Sequence, residues 1–132
     1  MKRFTPAARV ARLAVITVSV LAAGVALASP SNKWRIEVSE GANSHGWIIF
    51  YVTPKGGEPI EVRAEIDNGT GENKVARKIH DAFQRALPGD SYNVEVDDGE
   101  DVLVKKRGDA HDFELALVSN SVKSVRIHVE KE

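Results

Sequence analysis

Four histidines, His45, His80, His111 and His128, are the side chains best suited to proton transfer or metal ligation near neutral pH. None stands in an HExxH arrangement or in any other local ligand pair. His80 falls on the polar side of an amphipathic stretch beside Asp81, and His128 alternates outward from Ile127 and Val129. His45 and His111 both sit in turn-like segments. A fold that joined them with Asp109 or Asp112 would assemble a small hydrolytic or metal-binding centre. Ser44 directly precedes His45, but geometry in space defines a nucleophile and its base, not adjacency. Singly, each histidine reads as a surface residue, so no catalytic residue, metal ligand or cofactor is expected.

Acidic and basic clusters supply the other candidates. Asp97-Asp98-Gly99-Glu100-Asp101 gathers the carboxylates calcium favours, yet it lacks the alternating ligands and distal Glu of an EF-type loop. Its Asp98-Gly99 pair signals a two-residue hairpin turn, because primed turns require positive φ. Together with His45 and Trp47, Asp97, Asp98, Glu100 and Asp101 are the expected contacts for a partner. Lys74, Arg77, Lys78 and Arg85, with Lys105, Lys106 and Arg107, would form a positive patch for an anionic partner if the fold made them converge. The glycines within Asp67 to Glu72 resemble a phosphate cradle, but the Walker-type Lys-Ser/Thr is missing, which makes the segment a helix-capping loop. Within it, Asn68-Gly69-Thr70 is formally a glycosylation sequon. With no cysteine, disulfides, thiolate nucleophiles and Cys-based metal sites are all excluded.

Charge divides the 132 residues into two unlike pieces. Residues 1–28 carry Lys2, Arg3, Arg9 and Arg12 and no acid, and an uncharged run from Leu13 to Ala28 ends in Ala-Leu-Ala. A basic start, an apolar stretch and small residues at −3 and −1 are the order of a secretory signal. Cleavage is expected after Ala28, with Ala26 as the other site. At ~1.5 Å per residue the uncharged run spans about 24 Å, short of a ~30 Å hydrocarbon core, so membrane attachment is expected only through an uncleaved signal. Without cysteine there is no lipoprotein anchor, and Arg9 and Arg12 are too far apart for a twin-arginine signal. General secretion to the periplasm or the medium follows. Removing residues 1–28 takes four basic and no acidic side chains, leaving 14 against 19 and a net charge of −5. An acidic product of that kind is a poor match for a phosphate backbone, so no nucleic-acid partner is expected.

Residues 29–132 read as one α+β domain of order βββ-α-ββββ, an antiparallel sheet or sheets of about seven strands with one helix packed on top. Trp34, Ile36 and Val38 alternate with polar residues, as do Ile60, Val62, Ala64 and Ile66. Trp47 to Val52 is continuously apolar, which predicts a central strand covered on both faces, paired antiparallel with Ile60–Ile66. Asn68 or Thr70 caps a helix whose apolar face is Val75, Ile79, Ala82, Phe83, Ala86 and Leu87, with Pro88-Gly89 as its stop. Arg77–Asp81 and Asp81–Arg85 are i,i+4 pairs on its solvent side. Four strands follow, built on Tyr92-Val94-Val96, Val102-Val104, Phe113-Leu115-Leu117 and Val125-Ile127-Val129. Edge strands offer a route to self-association, which Glu130, Lys131 and Glu132 would blunt at the last strand.

The helix KVARKIHDAFQRAL, then YNVEVDDGEDVLVKK and FELAL, resembles a helix–hairpin–strand module of phage tail tubular proteins over about residues 70–118. The resemblance implies the local fold and an assembly role, and it carries no site residue. Tail proteins lack a secretory signal, whereas this chain has the pattern of one. The expected function is therefore that of a small exported, non-catalytic binding module with a protein or envelope-polymer partner. The rivals are an inhibitor or immunity-type protein docking an envelope enzyme through turns 40–46 or 97–101, and the His45/His111 centre. Mass spectrometry of the exported protein should find Ser29 as its first residue; an intact Met1 in the membrane fraction would refute cleavage.

Overall fold

Seven short strands each turn apolar side chains to one side, and two sheets and a helix share their burial. The computed structural model describes residues 29–132; the expected signal, with Ala26 and Ala28, lies outside them. The strands are β1 (Lys33–Ser39), β2 (Gly46–Pro54), β3 (Ile60–Ile66), β4 (Tyr92–Asp97), β5 (Asp101–Lys106), β6 (Phe113–Asn120) and β7 (Arg126–Lys131). One helix, α1 (Glu72–Ala86), stands between β3 and β4. The strands form a four-stranded sheet of order β4-β5-β1-β7 and a three-stranded sheet of order β3-β2-β6, antiparallel throughout. This is an α+β fold. No helix among the described residues is long and apolar enough to cross a membrane.

Helix α1 packs most heavily on β3 and also touches β4, β1 and β5, so it fills the opening between the two sheets. Val75, Ala76, Ile79, Ala82 and Phe83 are its buried side chains. Phe83 meets Phe50 of β2 with ring centroids 5.1 Å apart, a tilted contact of the kind aromatic pairs prefer. Contrary to expectation Ala86, in the last turn, is exposed, whereas Ala76 is buried, lying three and seven residues before Ile79 and Phe83 on the same face; Leu87 is extended and buried. Neither Asn68 nor Thr70 caps the helix through its side chain. The cap is Gly71, and the Thr70 hydroxyl donates instead to the Asp67 carbonyl at 2.7 Å. Asp81 Oδ1 stands 3.0 Å from His80 Nδ1, and neither Arg77 nor Arg85 comes within ion-pair distance of it.

At the opposite side of the core the sheets are stitched directly. Ser31 and Phe113 exchange two backbone hydrogen bonds of 2.9 Å, and the buried Trp34 indole donates to the Phe113 carbonyl at 2.8 Å. Three loops meet at one end: Ala42 N–H donates to Thr70, Gly69 N–H to Ala42, and Asn43 N–H to Lys123. A Cβ at Gly46 would lie 2.7 Å from Ser121 Oγ, so glycine there lets the loop after β6 close over the start of β2. Turn 40–46 is thus fastened to its neighbours on both sides.

Three expectations are corrected by the strand register. β2 is central, but only one of its faces is covered: Ile48, Phe50 and Val52 are fully buried, whereas Trp47 and Tyr51 are 36% and 40% exposed. An apolar run reads as buried on both sides only where a second layer covers the outer one, and no such layer exists here among the described residues. Leu117 does not join Phe113 and Leu115 in the core and stays 37% exposed, next to a bulge that leaves Val118 without a partner on β2. The β4–β5 turn has three residues, since Asp97 pairs with Asp101, and Asp98 and Gly99 both take positive φ. Because Phe83 is fully buried against Phe50, Phe83→Ala should cost about 3–5 kcal/mol in chemical denaturation. A loss below ~1 kcal/mol would mean that the helix does not anchor the core.

Candidate functional site

Each sheet turns one face to the core and one to solvent, and the two solvent faces have opposite chemistry. On the four-stranded sheet the outer face is charged. Arg35 of β1 donates to Asp101 at 2.6 Å, Asp97 at 3.2 Å and Glu132 at 2.8 and 2.9 Å. These contacts raise the guanidinium pKa still further, with Glu132 the largest contributor, and they hold the Glu132 carboxyl below its usual range. Lys33 also approaches Glu132, and Lys105 pairs with Glu95 at 3.1 Å.

Farther along β1, Glu37 pairs across the sheet with His128 of β7, and Glu130 follows two residues later on the same strand. His128 Nε2 lies 4.0 Å from Glu37 and 3.5 Å from Glu130. The Glu37 carboxyl is pushed up, first by its hydrogen-bonding contact with Glu130, then by desolvation and the charges of Glu130 and Asp101; His128 opposes this.

On the three-stranded sheet the outer face is apolar at its centre. Trp47, Ile49 and Tyr51 project from β2 at alternate positions. Their β3 partners are Glu65, Arg63 and Glu61, and on β6 Ala116 pairs with Tyr51 while Ser119 pairs with Ile49. Val118, half exposed at the bulge, extends the apolar area toward that edge. The Arg63 guanidinium stands 4.8 Å from the centre of the Trp47 ring, a cation–π contact.

The expected site residues are not all gathered. His45 precedes β2, with its Nδ1 3.2 Å from Asp67 Oδ1 and its Nε2 3.2 Å from Glu65 Oε2. His111 lies just before β6, whose first residue pairs with Pro54 at the far end of β2. His45 and His111 therefore stand at opposite ends of the strand, about 25 Å apart at ~3.3 Å per residue, and form no common centre. Asp112, the carboxylate beside His111, pairs with Lys106 at 3.0 Å. In the acidic hairpin Asp97 and Asp101 are spent on Arg35, the Glu100 carbonyl accepts from Val38 N–H at 3.1 Å, and Gly99 leans on Asn73 of the helix. Asp98 is exposed at the tip.

Nor does the basic set converge. Lys74, Arg77, Lys78 and Arg85 are exposed on α1, but Lys105 and Lys106 are ion-paired and Arg107 donates to Tyr92 O and Asn93 Oδ1. Lys78 and Arg85 share a shallow groove with Glu65, Asp67 and Asp81, which balances their charge. An open depression of about 280 Å³ between α1 and β4 is lined by Phe83, Leu87, Tyr92 and Arg107, with no histidine or carboxylate. Burial pushes the Tyr92 phenol up.

The outward orientation of Tyr51 and Ile49 was not legible, since an unbroken apolar run hides which of its side chains face solvent, whereas alternation in Ile60–Ile66 placed Arg63 outward. Comparison with protein-family models and with curated proteins finds no match to this chain.

Opposed shifts on the charged face predict opposed variants. The folded pKa of Glu37 lies above its unfolded value, so its ionisation weakens the fold at neutral pH, and stability is regained as pH falls through the raised value. Glu37→Gln should raise the thermal midpoint at pH 7, with the gain vanishing on acidification. Glu132 is the reverse: its contribution is full above the ordinary carboxylate range and is lost as pH falls through its depressed value. Glu132→Gln should lower the midpoint at pH 7 and converge with the parent only in acid.

Proposed function

We propose that this chain is an exported, non-catalytic protein-binding module that docks through the outer face of the β3-β2-β6 sheet. The observation that carries the reading is the exposure of Trp47 and Tyr51 beside Arg63 on one face of the sheet. Trp, Tyr and Arg are the residues that dominate binding energy at protein interfaces, where they cluster at a desolvated centre. A protein gains nothing from holding two large aromatic side chains in water when its other sheet face is covered by ion pairs.

Charge around the patch defines the partner. Glu61 and Glu65 border it on β3 and Glu114 lies on β6, against a single Arg63. The complementary surface is a protein with an apolar centre and a basic rim, recruited faster at low salt. A polymer of like negative charge would be repelled by the same rim. An inhibitor-like contact through turn 40–46 or the 97–101 hairpin finds less support, because both are bonded internally.

A benzophenone side chain placed at position 51 of the exported protein should crosslink to a separate envelope protein. The same group at position 95, on the charged face, should give no adduct. Trp47→Ala should weaken capture by about 2 kcal/mol, roughly 30-fold, with the thermal midpoint almost unchanged. Adducts at position 95 and not at 51, or an adduct between two copies of this chain, would overturn the proposal.

A further inference from the structure

We infer that Glu37, His128 and Glu130 form a binding site for a divalent transition-metal ion, with Zn²⁺ the best match. The site lies on the charged sheet face, away from the docking surface, and does not rest on that reading. Three donors from two neighbouring strands converge there: His128 and Glu130 two residues apart on β7, and Glu37 directly opposite His128 on β1. A strand alternates its side chains, so positions i and i+2 share a face, and a cross-strand partner supplies the third corner of a triangle. Their ligand atoms all lie within 4.8 Å of one another.

What separates this triad from the other histidines is the nitrogen involved. At His45 the two carboxylates sit on opposite ring nitrogens, Nδ1 and Nε2, so no single ion can reach all three groups. His80 likewise divides its nitrogens between Asp81 and the Val94 carbonyl. At His128 both carboxylates face the same atom, Nε2, at 4.0 and 3.5 Å. Donors each about 2.0–2.1 Å from a tetrahedral ion stand about 3.3 Å apart, so small rotations of exposed side chains close the set.

Charge points the same way. On this face Asp97, Asp101 and Glu132 are matched to Arg35, and Glu95 to Lys105. Among the described residues, neither Glu37 nor Glu130 has a Lys or Arg within ion-pair distance, and their ligand atoms lie within 4.8 Å of each other. A divalent ion would relieve that repulsion. One imidazole with two carboxylates suits Zn²⁺, and three protein donors leave a fourth position for water or a partner's side chain.

Titration calorimetry of the purified protein with ZnCl₂ should show one ion bound per chain. His128→Ala and Glu37→Gln should each abolish that binding, while His45→Ala should leave it intact. In NMR, Zn²⁺ should shift the Nε2 resonance of His128 and leave the ring nitrogens of His45, His80 and His111 in place. Thermal melts without metal identify any variant that has lost its fold; Glu37→Gln is expected to be more stable than the parent under those conditions. The assignment is overturned if Zn²⁺ does not bind at millimolar concentration, if binding survives both substitutions in folded protein, or if it is lost equally with His45→Ala.

Discussion

The helix is what allows seven strands to divide into two sheets. Strand order β3-β2-β6 on one side and β4-β5-β1-β7 on the other leaves a gap between β3 and β4, and α1 occupies it because it is the connection between those two strands. Phe83 reaches from the helix to Phe50 at the middle of β2, so one aromatic contact joins the connection to the centre of the smaller sheet. The chain has no cysteine, so no covalent bridge shares this task. The stitch at Ser31, Trp34 and Phe113 closes the other side of the core through hydrogen bonds.

Once the inner faces are committed to the helix and to each other, the outer faces are free to differ. The larger sheet covers its outer face with ionised side chains held by Arg35, and even Leu103 beneath them is only 5% exposed. The smaller sheet leaves aromatic side chains in solvent with acidic residues around them. The same alternation that builds the core therefore also sorts chemistry between two surfaces. An ion and a protein partner would engage opposite sides of the molecule.

Most of the fold was legible in the sequence. Alternation located six strands, a continuous apolar run located β2, and helical spacing found Phe83, because each pattern is local. The division into two sheets was not legible, since it depends on which strands pair and not on where strands occur. The same limit hid the metal-binding triad: Glu37 and His128 are joined only by the β1–β7 register. His128 read correctly as an outward residue, but no spacing in the chain announces what stands opposite it. On the proposed docking surface, Trp47 was among the expected contacts and Tyr51 was not, because an unbroken apolar run does not say which of its side chains face outward.

The strand edges have a consequence of their own. A sheet edge is a row of unused donors and acceptors into which a foreign strand can zip. Here α1 lies along β3, and on β4 the carbonyls of Tyr92 and Val94 are taken by Arg107 and His80. The bulge interrupts the regular row on β6, and β7 carries Glu130 and Lys131. On β4 and β7 these side chains compete with an added strand for the border, so a partner is steered toward the sheet faces, where side chains and not the backbone decide what fits.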